Sequence, residues 1–310
     1  MNRLRFLQCF GAAAASISLP GFLKSGYTDF DTSALFFDIS LAEWSLHRAL
    51  QSGELNHLEF PAVAKNEFGI SAVEYVNRFF ADKAENKAYL DELNSRCSDL
   101  GVEQLIIMVD GEGNLAAADD QERLGTVRNH YKWVEAAEYL GCHSIRVNTY
   151  GSGTRKTTKA AAVDSLGRLS EFARDYDINI IVENHGGYSS DGQWLADVIR
   201  QVGVDNCGTL PDFGNFCIKR DESGCLEEYD RYKGVKEMMP YAKGVSAKSY
   251  DFSKKGRETT IDYEKMLRIV HEAGYTGHIG IEYEGSGLSE AEGIKATKEL
   301  LLTVGKQITP

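Results

Sequence analysis

The chain has 310 residues, with 34 Lys and Arg against 46 Asp and Glu, giving a net charge of −12 with His neutral. Hydrophobic residues make up 43 % of it, enough to bury a sizeable core, and only 5 Pro and no long polar tract exclude disorder. The acidic balance argues against nucleic acid and against docking to an anionic membrane surface, both of which draw on clustered Lys and Arg.

From the N-terminus, Arg3 and Arg5 precede a weakly apolar stretch, Phe6 to Gly11, and four alanines, Ala12 to Ala15. This is too short for a membrane span and reads, over residues 1–26, as an export signal. It resembles a twin-arginine signal, with Arg3 and Phe6-Leu7 in register and Leu4 at the second arginine's place. Export to the periplasm follows as an expectation, with the cytoplasm as the alternative.

Eight short apolar or β-branched runs come next: Leu35–Leu41, Ile70–Glu74, Glu103–Val109, Ser144–Asn148, Ile178–Glu183, Gly208–Asp212, Val245–Ser249 and His278–Tyr283. Their ends recur about every 35 residues, the length of one strand-plus-helix unit. Between them, Tyr131–Leu140 and Tyr263–Val270 repeat apolar residues at three and four positions, a helical spacing. Gly101, Gly141 and Gly274 stand where helix C-caps are expected. Eight alternations predict an α/β fold, a single (β/α)8 TIM barrel over residues 34–310. An open doubly wound sheet is the rival, but no Gly-x-Gly-x-x-Gly follows the first strand.

Cys9 lies in the N-terminal segment, and the other five cysteines (Cys97, Cys142, Cys207, Cys217, Cys225) show no Cys-x-x-Cys spacing. They read as buried, inert thiols rather than a disulfide framework.

In a barrel, chemistry sits at the C-terminal strand ends. The polar residues there are Glu74; Asp110 and Glu112; Arg146 and Asn148; Glu183 and His185; Asp212; Lys248 and Asp251; Glu282 and Glu284. Glu183, Asp212 and Glu282 each close an apolar run. Three such carboxylates converging would repel unless a cation sat among them; the alternative is that each pairs with a local Lys or Arg. Arg146 and Asn148, alternate residues on one side of the fourth strand, suit substrate hydroxyls or a carboxylate. The basic loop 251–258, with Arg257 and a Gly256 hinge, is long enough to close over the site.

Val182-Glu183-Asn184-His185, Pro211-Asp212-Phe213-Gly214-Asn215-Phe216 and Gly274-Tyr275-Thr276-Gly277-His278-Ile279-Gly280-Ile281-Glu282 resemble the xylose-isomerase-like TIM barrels. That group holds sugar (phosphate) isomerases and epimerases and shares its barrel with apurinic endonucleases, whose multi-zinc site needs more His than the 7 present here. The resemblance runs over 36–303 and is most specific across 178–284. It implies one divalent metal held by Glu, Asp, His and Glu from strands five to eight. Glu183, Asp212 and Glu282 then correspond to the three carboxylate ligands, and the two Glu to an acid/base pair.

The chain departs from the pattern at the fourth ligand. Ala247-Lys248-Ser249-Tyr250-Asp251 stands where the family has His-x-Lys-Asp, so Lys248 takes the histidine's place. A protonated ammonium has no lone pair for a metal. Either the three carboxylates hold Mn²⁺ or Mg²⁺ with water, or Lys248 replaces the metal and stabilises an enediolate oxygen directly. His185 could supply a nitrogen ligand or contact a substrate hydroxyl, and Asn215 falls where some members use a substrate-contacting His. Trp194 is the candidate for stacking on a sugar face, with Trp44 and Trp133 as core or rim residues.

The resemblance thus implies an isomerase or epimerase of a sugar or polyol carbonyl, acting on a small carbohydrate with no nucleic-acid or membrane partner. A dehydratase or lyase on a keto-sugar or keto-glycoside, with Lys248 as electrophile, is the alternative, as is a non-catalytic carbohydrate-binding barrel. Members are often oligomeric, which leaves a homo-oligomer open.

Overall fold

Strands covered on both faces need apolar residues at nearly every position, which is why they show as continuous runs rather than alternation. The computed structural model describes residues 35–309. In it the runs become β1 (Asp38–Ala42), β2 (Ala72–Val76), β3 (Glu103–Met108), β4 (Ser144–Val147), β5 (Asn179–Glu183) and β6 (Cys207–Leu210). A hairpin of β7 (Cys217–Asp221) and β8 (Gly224–Glu228) intervenes before β9 (Val245–Ser249) and β10 (His278–Tyr283).

All except the hairpin strands pair in parallel, in the order β6-β5-β4-β3-β2-β1-β10-β9. Isolated parallel bridges, Thr209 to Ala242 and Asp212 to Ser246, join the β6 edge to β9. There Ser246 N donates to Pro211 O at 2.9 Å and Phe213 N to Ser246 O at 3.1 Å. The sheet therefore closes as the predicted (β/α)8 barrel.

The outer layer consists of α1 (His47–Ser52), α2 (Phe60–Phe68), α3 (Lys87–Leu100), α4 (Asp120–Tyr139), α5 (Arg155–Arg174), α6 (Gly192–Val202), α7 (Arg231–Met238), α8 (Tyr263–Glu272) and α9 (Glu290–Ile308). Asp119, Thr154, Asp191, Asp262 and Ser289 each accept a backbone N–H in the first turn of the helix that follows, so side-chain caps start these helices in the loops above the strands. The expected C-cap glycines, Gly101, Gly141 and Gly274, all have positive φ.

Two apolar bodies result. The larger lies between sheet and helices; the smaller fills the barrel interior with Ala42, Val76, Leu105, Ile106, Met108, Ile181 and Leu210. Trp194 belongs to the larger: it is fully buried, with its indole N–H donating to Arg155 O at 3.2 Å, so it is a core residue and no sugar platform.

Cys97, Cys142 and Cys207 are free, buried thiols as expected. Cys217 and Cys225 are not. The unforeseen hairpin folds the chain back on itself, bringing their Cα atoms to 5.7 Å in a disulfide. The expected export signal and Cys9 lie outside the described residues. No helix among the described residues is long and apolar enough to cross a membrane.

Candidate active site

Glu183 ends β5, Glu282 is the penultimate residue of β10, and Asp212 stands at the bridge that closes the barrel. One oxygen of each lies within 4.8 Å of the others, so the three carboxylates converge as the sequence implied and form a buried trio that could hold a metal. Asn184 ties the ends of β5 and β6 together. Its amide oxygen accepts Asp212 N–H at 2.7 Å, and its Nδ2 donates to the carbonyls of Asp212 and Asn215.

Lys248 sits beside Glu282 in the β9–β10 register. Its Nζ is 2.6 Å from Glu282 Oε1, 3.2 Å from Glu284 Oε1 and 3.8 Å from Asp212 Oδ2, and the side chain is 1 % exposed. The stem passes over Gly214, where a Cβ would lie 2.6 Å from Lys248 Cγ. Arg146, the second buried cation, donates through Nη1 to Asp110 Oδ1 at 2.7 Å. Its Nε lies 2.9 Å from Glu183 Oε2, a charge contact in which the N–H is not aimed at the oxygen.

The remaining oxygens are also engaged. Asn215 Nδ2 donates to Glu183 Oε1 at 3.0 Å, and the N–H groups of Gly214 and Asn215 donate to Asp212 Oδ1. Ser246 Oγ lies 2.8 Å from Asp212 Oδ2 and 2.7 Å from Glu282 Oε2. A hydroxyl has one proton to donate, so Ser246 can serve only one of these two carboxylates at a time.

Burial, reinforced by neighbouring carboxylates, raises Glu183 and Asp212 to about 7 against the pull of Arg146 and Lys248. Glu282 is equally buried, but the Lys248 ammonium outweighs that and holds it below the usual carboxylate range. Lys248 stays protonated: burial opposes its charge, and the surrounding carboxylates overcome that opposition.

Beneath them lies Glu74. The sequence reading ended the second strand there, but β2 continues to Val76, which places Glu74 inside the barrel rather than at its rim. Ser40 Oγ donates to its Oε1 at 2.6 Å, while Oε2 has no partner. Burial raises it to about 7. Gly280 makes the room, since a Cβ there would come within 2.6 Å of the carboxylate.

A cavity of about 330 Å³ opens at Glu282, the one member of the trio that lines it, together with Glu284, Arg146, Asn148, Asp110, His185, Tyr150, Trp44 and Arg78 among others; Glu183, Asp212 and Lys248 do not line it. Small-molecule sites have such volumes. Arg146 and Asn148 line it, both fastened to Asp110, which burial would raise but Arg146 pulls down to about 2. Asn148 Oδ1 is buried with no partner, an acceptor left over for a ligand hydroxyl. His185 reaches the cavity too, its Nδ1 2.6 Å from Tyr150 Oη.

Asn215 orients Glu183 and does not line the cavity. Arg257 is absent as well; it lines a separate groove with Tyr232 and Asp262. Its loop is pinned by Glu258, whose carboxylate accepts the N–H groups of Tyr250, Thr260 and Ile261. The sequence reading missed Arg78 and Tyr150 and left Trp44 between core and rim. All three follow strand ends, but in loop residues that the emphasis on carboxylates passed over.

Against a resident divalent ion, the donor set fits poorly. All six oxygens of the trio already face a protein donor or cation, and Lys248 occupies the fourth-ligand position without a lone pair to give. Two cations, Arg146 and Lys248, already accompany the three carboxyl groups.

Among solved structures, an L-ribulose 3-epimerase aligns with a TM-score of 0.68 at 14 % identity, covering 88 % of this chain and 95 % of that one. A xylose isomerase-like TIM barrel protein from Mycobacterium smegmatis in complex with magnesium gives 0.64 at 16 % identity, covering 88 % and 98 %. The IOLI protein with a bound zinc atom gives 0.64 at 15 %, covering 88 % and 99 %. These likenesses show the fold. No curated protein matches the chain significantly. The model of the xylose isomerase-like TIM barrel family matches residues 62–303, and the chain belongs to that family.

Proposed function

We propose that the chain is a sugar or polyol-carbonyl isomerase or epimerase that moves a proton with Glu183 and Glu282 through an enediolate. One observation carries this reading. Two buried glutamates of one carboxylate cluster, of which Glu282 lines the cavity, are driven in opposite directions, Glu183 up to about 7 and Glu282 down, so one is an acid and the other a base near neutrality.

In the first step the Glu282 carboxylate takes the proton from the carbon next to the carbonyl. The C–H electron pair becomes a C=C bond, and the carbonyl π pair moves onto oxygen. Glu183 then returns a proton as the carbonyl re-forms: to the opposite face of the same carbon for epimerisation, or to the neighbouring carbon for isomerisation, in which the hydroxyl proton also passes from the new carbonyl oxygen to the former one. Exchange with solvent resets the two carboxyls. Arg146 and the free Asn148 Oδ1 are placed to orient substrate hydroxyls.

The Cys217–Cys225 disulfide supports export to an oxidising compartment, and a non-phosphorylated sugar or glycoside as substrate. Lys248, a proton donor beside the base, favours a second reading: loss of a β-hydroxyl or glycosyl group from a keto-sugar.

The test is incubation with a panel of ketoses and keto-glycosides in D₂O, followed by proton NMR. The expected result is deuterium at the carbon next to the carbonyl, lost in Glu282→Gln while sugar binding persists. An unsaturated product would support the elimination reading. Sugar binding with no exchange on any substrate would leave only a carbohydrate-binding barrel.

A further inference from the structure

An enediolate puts a full negative charge on oxygen, and the cation nearest the base belongs to the chain itself. We infer that Lys248 takes the place of a divalent ion in this site and is its electrophile, an inference that rests on the proton-transfer reading above.

The ammonium is already at the reacting centre, 2.6 Å from the Glu282 oxygen and 1 % exposed. Gly214 leaves room for its stem: any side chain there would collide with it, in the same Pro-Asp-Phe-Gly-Asn segment that supplies Asp212. Of its three N–H donors, one makes a hydrogen bond, to Glu282 at 2.6 Å; Glu284 at 3.2 Å and Asp212 at 3.8 Å are charge contacts only, which leaves donor capacity for a substrate oxygen. Arg146 cannot serve equally, because it is held between Asp110 and Glu183.

The chemistry gives this placement its value. When Glu282 takes the substrate proton it loses its charge, and Lys248 loses its nearest anionic partner in the same event. The negative charge reappears on the substrate oxygen. An ammonium between the two interacts more strongly with the enediolate than with the neutral ketone, so it lowers the barrier rather than merely binding substrate. Neutral α-hydroxyketones are the class this suits, since the ammonium is balanced by protein carboxylates before substrate enters and gains a nearby negative oxygen in place of Glu282 in the intermediate.

The full-length protein is dialysed to equilibrium against manganese chloride, then metal-free buffer, and its manganese is measured by elemental mass spectrometry, which needs no turnover. The expected result is no retained manganese in the wild type and about one equivalent in Lys248→His, which supplies the missing imidazole. Deuterium exchange by the wild type should survive chelator and fall about 10²–10³-fold in Lys248→Met, the loss typical of an oxyanion donor. About one equivalent retained by the wild type and lost in Glu282→Ala overturns the inference, whether or not any sugar exchanges; so does full exchange by Lys248→Met. If the wild type exchanges no substrate, the proton-transfer reading fails, while the manganese result still decides whether Lys248 has displaced the ion.

Discussion

Replacing Lys248 with methionine keeps most of the side-chain volume and removes one buried charge. In the wild type that charge faces Glu282 at 2.6 Å and Asp212 at 3.8 Å, both almost inaccessible to water; Glu284, 29 % exposed, is screened and adds little. Breaking a buried pair by removing one partner costs about 3–5 kcal/mol, because the other charge is left without compensation. Set against a total stability of about 5–15 kcal/mol, the variant should fold but with a clearly lower urea midpoint and an unchanged slope. The pH dependence separates charge from packing. In the wild type Glu282 is held below its unfolded value, so its contribution is present above that value and lost as pH falls through the folded one. In Lys248→Met burial acts on Glu282 against only the weaker pull of the Ser246 hydrogen bond and of Arg146, and raises it, so the folded form binds the proton more tightly. The variant then regains stability as pH falls, by about 1.4 kcal/mol per unit for that group. Urea unfolding followed by circular dichroism at mildly alkaline and mildly acidic pH should show a large gap that narrows on acidification. A gap under about 1 kcal/mol in alkali, or one of equal size at both pH values, would refute this electrostatic account.

Other outcomes follow from the same geometry. Exchange catalysed by the wild type should decline as pH rises past about 7, because Glu183 must carry a proton to act as the acid; a profile flat well above that point removes Glu183 from the role. Gly214→Ala places a methyl 2.6 Å from both Lys248 Cγ and Tyr250 Oη, so it should cost about 1–3 kcal/mol in thermal unfolding and slow exchange by displacing the ammonium. Unchanged stability would mean that the wall yields. Cys217→Ser with Cys225→Ser should lower stability by about 2.5 kcal/mol, the chain entropy of a cross-link between residues 8 apart; identical melting of the wild type with and without reductant would show that the bond contributes nothing.

The barrel was legible because its strands are covered on both faces, leaving eight runs with a regular interval. The hairpin was not, because Lys219, Arg220, Asp221, Glu227 and Glu228 are exposed and polar, and nothing in them resembles a buried strand. Its disulfide was hidden with it, since the pairing of Cys217 and Cys225 depends on that fold-back. The carboxylate trio could be read because each member closes an apolar run. Glu74 was misplaced by two residues of strand, a distance within which strand ends are ordinarily uncertain, yet enough to move it from rim to interior. Trp194 shows a different limit: an indole on an amphipathic helix has the same sequence signature whether it faces the sheet or a ligand. Lys248 was read as a departure from a pattern, and only the coordinates show that a glycine makes room for it.

The barrel interior is filled unevenly, and this governs which substitutions it will accept. Beside β3, β5 and β6 the axis is lined by Leu105, Ile106, Met108, Ile181 and Leu210, where apolar residues of similar volume can exchange one at a time. Beside β1, β2, β9 and β10 it is lined by Ser40, Glu74, Ser246, Lys248, Gly280 and Glu282, each holding a charge, a proton or a space that another requires. Changes on that side are coupled, so a variant that is harmful alone can become neutral when its neighbour changes with it. A new specificity would therefore be reached by paired steps on one side of the axis, while the apolar positions Leu105, Ile106, Met108, Ile181 and Leu210 can change one at a time.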